Sequence, residues 1–233
     1  MSDSTVRHYH HLEEIELTQE FHRYFELFQD ESHAFLLDSA LSQSGAGQCS
    51  YIGANPFVIY EAKRSMDGPI ALAEITETRR TDEEGRVLAT PIIQERRGDL
   101  FTDLRETLGR HHVPAYSYAA SPTPFIAGAV GYFSYETGYF IEELPDEGAD
   151  DLGLPDVCLL FCDLVLSKNH DTNSTWLSII GRGETEVIAR GRTEVLRKQI
   201  LRKISAFERR PSPVWGDPGR VNVAKPLHLN QHF

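Results

Sequence analysis

TPFIAGAVGYFSYETGYFIEELP, residues 123–145, is the stretch whose placement decides the fold. Small residues come first (Ala127, Gly128, Ala129, Gly131), and five aromatics follow: Tyr132, Phe133, Tyr135, Tyr139 and Phe140. Glycine lets a neighbouring backbone approach closely, and aromatic rings bring the largest apolar areas a core can bury. Side by side, they predict a strand crossing the middle of the folded unit, with packing as its task. An amphipathic turn then leads to Glu142, Glu143 and a stop at Pro145.

Downstream, Asp146–Asp151 is an acidic loop. Val157–Ser167, VCLLFCDLVLS, is the most continuous apolar run and reads as one buried strand. Asn169–Ser174 turns the chain, and Thr175–Ile180 returns as the second half of a hairpin. Thr185–Arg209 reads as a helix, with Ile188, Val195, Leu196, Ile200, Ile204 and Phe207 on one stripe and a basic, solvated face opposite. From Arg210 four prolines and no period predict a linker, so the expected organisation is a domain over residues 1–209 and a linker over 210–233.

Upstream, residues 115–123 have a linker's composition, and Asp99 is placed to cap a helix carrying Leu100, Phe101, Leu104 and Leu108. Gln48–Gly53, Phe57–Lys63 and Ile70–Thr78 read as strands, the last two joined by a hairpin signal at Asp67-Gly68. Ala34–Leu37 is a short strand ahead of a glycine-bearing loop, and Thr5–Tyr9 is a first strand. Phe21, Tyr24, Phe25 and Phe28 repeat at helical spacing behind a Thr18 cap. About eight strands in hairpins with about three helices predict an α+β fold with largely antiparallel, sandwich-like sheets.

The net charge is −12. That argues against nucleic acid, whose binding depends on neutralising phosphates. No apolar run approaches a membrane span, and the N-terminus lacks a signal pattern. A cytoplasmic location with Cys49, Cys158 and Cys162 reduced is therefore expected. Cys158 and Cys162 share a strand face but lie too far apart along it for a disulfide. His8, His10 and His11 at the terminus read as incidental, and His111-His112 as helix-end residues. Neither Gly-rich segment, Gly45–Gly47 or Gly128–Gly131, completes a phosphate loop or dinucleotide fingerprint. Asp38-Ser39 stands where an apolar strand meets a loop. A carboxylate and a hydroxyl there can receive the ammonium of a small amino acid, and turn capping is the other role open to them.

Three ordered motifs then point to a family. Phe35–Ala40 followed by Gln48–Gly53 and Asn55-Pro56 resembles the "LLES … GRYSFIG … P" signature of the large subunits of chorismate-utilising amidotransferase complexes. Pro124–Tyr135 resembles their "PFxGGxVGYxSYD" segment, and Asp151–Asp156 with Asn169-His170 their "DxLGxPD … FDH" segment. The family comprises component I of anthranilate synthase and of aminodeoxychorismate synthase.

The resemblance implies an N-terminal domain with no catalytic residue of its own. It implies a chorismate-binding domain carrying the catalytic groups and magnesium ligands, expected to be absent from this chain, and a glutamine amidotransferase subunit as ammonia source. It also implies the first half of a tryptophan-type pocket, formed by Asp38, Ser39, Gly47, Gln48 and Cys49. Asp38 stands in place of the usual Glu, and Gln48 and Cys49 in place of Arg and Tyr, which removes a charged and an aromatic contact. The wording of Glu136–Pro145 favours the aminodeoxychorismate type, with anthranilate synthase as the alternative. An isolated module binding an aromatic amino acid or a partner, without activity, is a third reading.

Overall fold

Among the described residues, ten strands form two five-stranded antiparallel sheets, and two neighbouring chain segments pass together from one sheet into the other. A computed structural model describes residues 7–39, 48–66, 68–77, 91–112, 121–145 and 150–210. Sheet 1 has the order β1-β10-β9-β3-β2, with β1 Arg7–Glu14, β2 Phe35–Leu37, β3 Cys49–Gly53, β9 Leu164–Asn169 and β10 Ser174–Gly183. Sheet 2 has the order β6-β5-β4-β8-β7, with β4 Val58–Arg64, β5 Ala71–Glu77, β6 Ile92–Gly98, β7 Gly128–Phe133 and β8 Val157–Cys162. The α+β, antiparallel, sandwich-like class expected from the sequence is the one observed. The linker residues 211–233, the Asp82–Gly85 turn and most of residues 115–123 lie outside the described residues.

The run Val157–Ser167 is not one strand but two. It leaves sheet 2 at Cys162 and enters sheet 1 at Leu164, turning at buried Asp163, whose carbonyl accepts the Ile180 N–H (2.7 Å). β3 and β4 make the same passage in the opposite direction through Ala54–Phe57. β3 pairs with β9 and β4 with β8, so one bent two-stranded ribbon joins both sheets. Asn55 sits at its corner with φ +52°; its N–H donates to the Ser32 carbonyl and its side chain to Glu31. An Asn accepts this left-handed backbone more readily than most residues.

Packing follows from the ribbon. Phe35, Tyr51 and Val165 of sheet 1 meet Val130, Leu160 and Cys162 of sheet 2 between the layers. The other face of sheet 1 is covered by the 3-10 helix Phe21–Phe28 and by α2, Glu186–Glu208, through Tyr24, Phe28, Ile200, Ile204 and Phe207. The other face of sheet 2 is covered by α1, Leu100–Arg110, through Leu100 and Leu104. Asp99 and Thr185 cap the two α-helices by accepting N–H groups of Thr102 and Ile188. Thr18 is not a cap: its own N–H donates to the Tyr24 hydroxyl and to Glu208. β10 approaches α2 so closely at Gly181 that a Cβ there would sit 1.9 Å from the Ala189 carbonyl oxygen.

The 123–145 stretch departs from its expected place. Among the described residues, β7 is an outer strand of sheet 2, paired only with β8. Tyr132 and Phe133 are half exposed, and Tyr135, in the following 3-10 turn Tyr135–Phe140, is 85% exposed. The close approach expected of its glycines is present: a Cβ on Gly131 would lie 1.8 Å from the Cys158 carbonyl oxygen. The strand packs through Gly131, Ala129 and Val130, and its aromatics are half exposed.

Candidate functional site

At one end of sheet 1, β2 runs out into Asp38 and Ser39 beside the start of β3. Successive side chains alternate across a strand. Cys49 and Tyr51 therefore face the layer between the sheets, while Ser50 faces the opposite side. Ser50 is fully buried. Its Oγ lies 2.8 Å from Asp38 Oδ1, 3.0 Å from the Ser39 backbone N and 2.8 Å from His170 Nε2. The His170 N–H donates to the Gln48 carbonyl at 2.8 Å, which closes the ring of contacts across the β9–β10 turn.

Donor and acceptor counting assigns the protons. A hydroxyl has one proton and two lone pairs. The Asp38 carboxylate accepts the hydrogen bond from the Ser50 hydroxyl, and the Ser39 N–H occupies one lone pair of Oγ. His170 therefore donates through Nε2–H to the other. Ser50 has no capacity left and is not held as a nucleophile, since its proton points to a carboxylate rather than to an imidazole acceptor. Its role is to position: it fixes Asp38 and the Ser39 backbone at the sheet end. Among the described residues, Asp38 Oδ2 and Ser39 Oγ accept or donate no further hydrogen bond, and Asp38 and His170 are exposed. An exposed carboxylate oxygen beside a hydroxyl suits an ammonium group.

Of the residues singled out by the sequence, Asp38, Ser39 and the Gln48 backbone come together here. Cys49 is buried on the other face of β3, next to the Tyr51 hydroxyl. Burial, with Cys49 alongside, pushes the Tyr51 phenol well up, so it remains neutral. Gly47 lies outside the described residues. Ser50 and His170 are the members that sequence reasoning did not single out, although both stand within the quoted motifs. The signal available was joint: "LLES", "GRYS" and "FDH" supply Asp38-Ser39, Ser50 and His170 to one cluster. A cleft of about 370 Å³ lies elsewhere, beside β5, β6 and α1, and is lined by Arg96, Asp99 and Asp103.

The second motif and the first half of the third meet in the same manner but build scaffold. Asp156 is buried at the start of β8. Its Oδ2 accepts the Arg64 N–H (2.7 Å), its carbonyl accepts from Ser134 N–H (2.8 Å) and Thr137 Oγ1 (3.0 Å), and its N–H donates to the Ala62 carbonyl (2.8 Å). This one residue ties β4, β7 and the 3-10 turn together. Among the described residues, no three His, Cys, Asp or Glu side chains converge as a metal site. No described helix is long and apolar enough to cross a membrane.

No protein-family model matches the chain. It is similar to proteins named anthranilate synthase component 1. It is 30% identical to that of Acetivibrio thermocellus over 154 residues, which covers 63% of this chain and 26% of the relative. It is 36% identical to that of Thermus thermophilus over 87 residues, or 37% of this chain and 19% of the relative. It is 37% identical to that of Mycolicibacterium smegmatis over 73 residues, or 31% of this chain and 13% of the relative. The chain thus spans about a quarter or less of these relatives. The matches support the resemblance to the chorismate-utilising family drawn from the motifs.

Proposed function

We propose that this chain is the N-terminal, non-catalytic part of an anthranilate synthase component 1-type subunit. Its own task is to present half of an aromatic-amino-acid site. The observation that carries the reading is the Asp38–Ser50–His170 cluster. Two of the three motifs of the resemblance, the first with Asp38, Ser39 and Ser50 and the third with His170, converge there although 120 residues separate Ser50 from His170. Asp38 Oδ2 and Ser39 Oγ receive the ligand's ammonium group, and Ser50 holds both in place. The aminodeoxychorismate reading rests on the wording of Glu136–Pro145, whereas the relatives reported above carry the anthranilate synthase name. Chorismate, magnesium and a glutamine amidotransferase subunit belong to the activity of a whole synthase and are proposed here only for such an assembly.

Two experiments test the reading. L-tryptophan at millimolar concentration is expected to raise the melting temperature of the chain, and Ser39→Ala to abolish the rise. The 233-residue chain by itself, with magnesium and ammonia, is expected to release no pyruvate from chorismate; measurable turnover would overturn its non-catalytic assignment.

A further inference from the structure

The β9–β10 turn brings a titratable group to Asp38 and Ser39. His170 is exposed, yet it is held at two points. Its backbone N–H donates to the Gln48 carbonyl at 2.8 Å, and its Nε2 meets the buried Ser50 hydroxyl at 2.8 Å. Asp38 Oδ1 accepts from that same hydroxyl at 2.8 Å. Imidazole and carboxylate are thus two hydrogen bonds apart, through one buried oxygen. The Ser39 backbone N–H, the third contact of that oxygen, helps to hold it in place.

Neutral or protonated, an imidazole can present an N–H at Nε2, so the cluster survives a change of charge on His170. What changes is the field at Asp38. An imidazolium there competes with any ammonium group that the carboxylate would receive. Imidazole is the side chain that changes charge between about pH 5 and about pH 8. The surrounding charges are few. Lys168 pairs with Ser50 across β3 and β9, and its Nζ donates to the Asn173 carbonyl. Asp171 is exposed in the turn. The 3-10 helix packed against β2 and β3 carries exposed His22, with Arg23 engaged by Gln19 and Glu26. Residues 40–47, ALSQSGAG, which join β2 to β3, contain no ionisable side chain.

We propose, resting on the ammonium role given above to Asp38 and Ser39, that His170 regulates this site by its charge. Neutral His170 admits an ammonium group beside Asp38, and protonated His170 disfavours it. The coupling is reciprocal: bound ammonium makes His170 harder to protonate by the same factor by which protonation weakens the ligand. For two unit charges this close at a partly exposed site, the factor is about fivefold.

The test uses the full chain, labelled at backbone amides and histidine rings for NMR, at low salt. L-tryptophan is titrated at about pH 7.5 and about pH 5.5, between which the ring changes charge. Its affinity is expected to be about fivefold weaker at the lower pH, and the difference to shrink in about 0.5 M salt. His170→Gln keeps a side-chain N–H for Ser50 but cannot ionise. In this variant the ratio of the two affinities is expected to fall to about one, whatever their absolute values. Without ligand, Asp38→Asn is expected to move the His170 ring titration to lower pH, because the imidazolium loses its carboxylate. Saturating tryptophan is expected to move it the same way. The proposal is overturned if tryptophan binds the unaltered chain equally at both pH values. It is also overturned if His170→Gln retains the pH dependence, or if Asp38→Asn leaves the ring titration in place. Absence of binding at both pH values is a separate failure, which overturns the amino-acid site itself and this regulation with it.

Discussion

Gly128–Phe133 and Val157–Ser167 are both apolar, both β, and paired with one another along β7 and β8, yet among the described residues one lies at the surface and the other is almost wholly buried. The difference is in neighbours, not composition. β8 has β4 on one side and β7 on the other, and β9 is likewise flanked by β3 and β10. Among the described residues, β7 has a partner on one side only. The contrast teaches that a run of apolar residues reports what a segment can bury, whereas topology decides how much it does bury.

The largest expected effect lies in the buried run. Leu166→Ala empties a fully enclosed position of β9 and is expected to cost about 2–5 kcal/mol in urea unfolding. Gly131→Ala comes next. Its added methyl meets backbone rather than a movable side chain, so β7 must shift off β8, at an expected cost of about 1–3 kcal/mol. Ser50→Ala leaves Asp38, the Ser39 N–H and His170 without their common partner, and about 1–3 kcal/mol is expected by the same measurement. Tyr135→Ser, on the exposed side of the comparison, is expected to change stability by less than about 0.5 kcal/mol. A large loss there would mean that Tyr135, in the turn that follows β7, is packed after all.

A pH titration sharpens the same contrast from the buried side. His111 caps α1 and stacks edge-on against Phe57 and Phe161 of the ribbon, with Arg182 over the Phe57 ring. Burial, reinforced by Arg182, holds its ionisation at about 4 instead of the ordinary 6.5. The folded state thus prefers the neutral ring. Its contribution is complete above pH 6.5 and is lost as pH falls from there toward about 4. Burial lowers His8 and His10 in the same direction. The melting temperature is expected to fall across this window, and His111→Phe to flatten the slope without removing it. An unchanged slope would place His111 in water.

Much of the fold was legible from local chemistry. The Asp99 cap, the β4–β5 and β9–β10 hairpins and the stripe of α2 all follow from spacing and turn residues, whereas the Thr185 cap was not read and the Thr18 cap was misplaced. The division of Val157–Ser167 between two sheets did not follow, because residues on both faces of β8 and β9 are apolar and Asp163 is neither Gly nor Pro. β6 was missed because IIQERRG exposes most of its side chains and shows no buried face. Of the candidate site, Asp38 and Ser39 were legible as a strand-end pair. Ser50 and His170 were not, since only the pairing of β3 with β9 brings them within hydrogen-bonding distance.

The central claim is that Asp38 and Ser39, fixed by Ser50, form half of an aromatic-amino-acid site. Titration of the amide-labelled chain with L-tryptophan tests it most directly. The account predicts saturable shifts confined to the amides of Ser39, Ser50 and His170 and their neighbours, lost in Ser39→Ala while the rest of the spectrum is retained. An unchanged spectrum at millimolar tryptophan, or shifts that persist in Ser39→Ala, would contradict it.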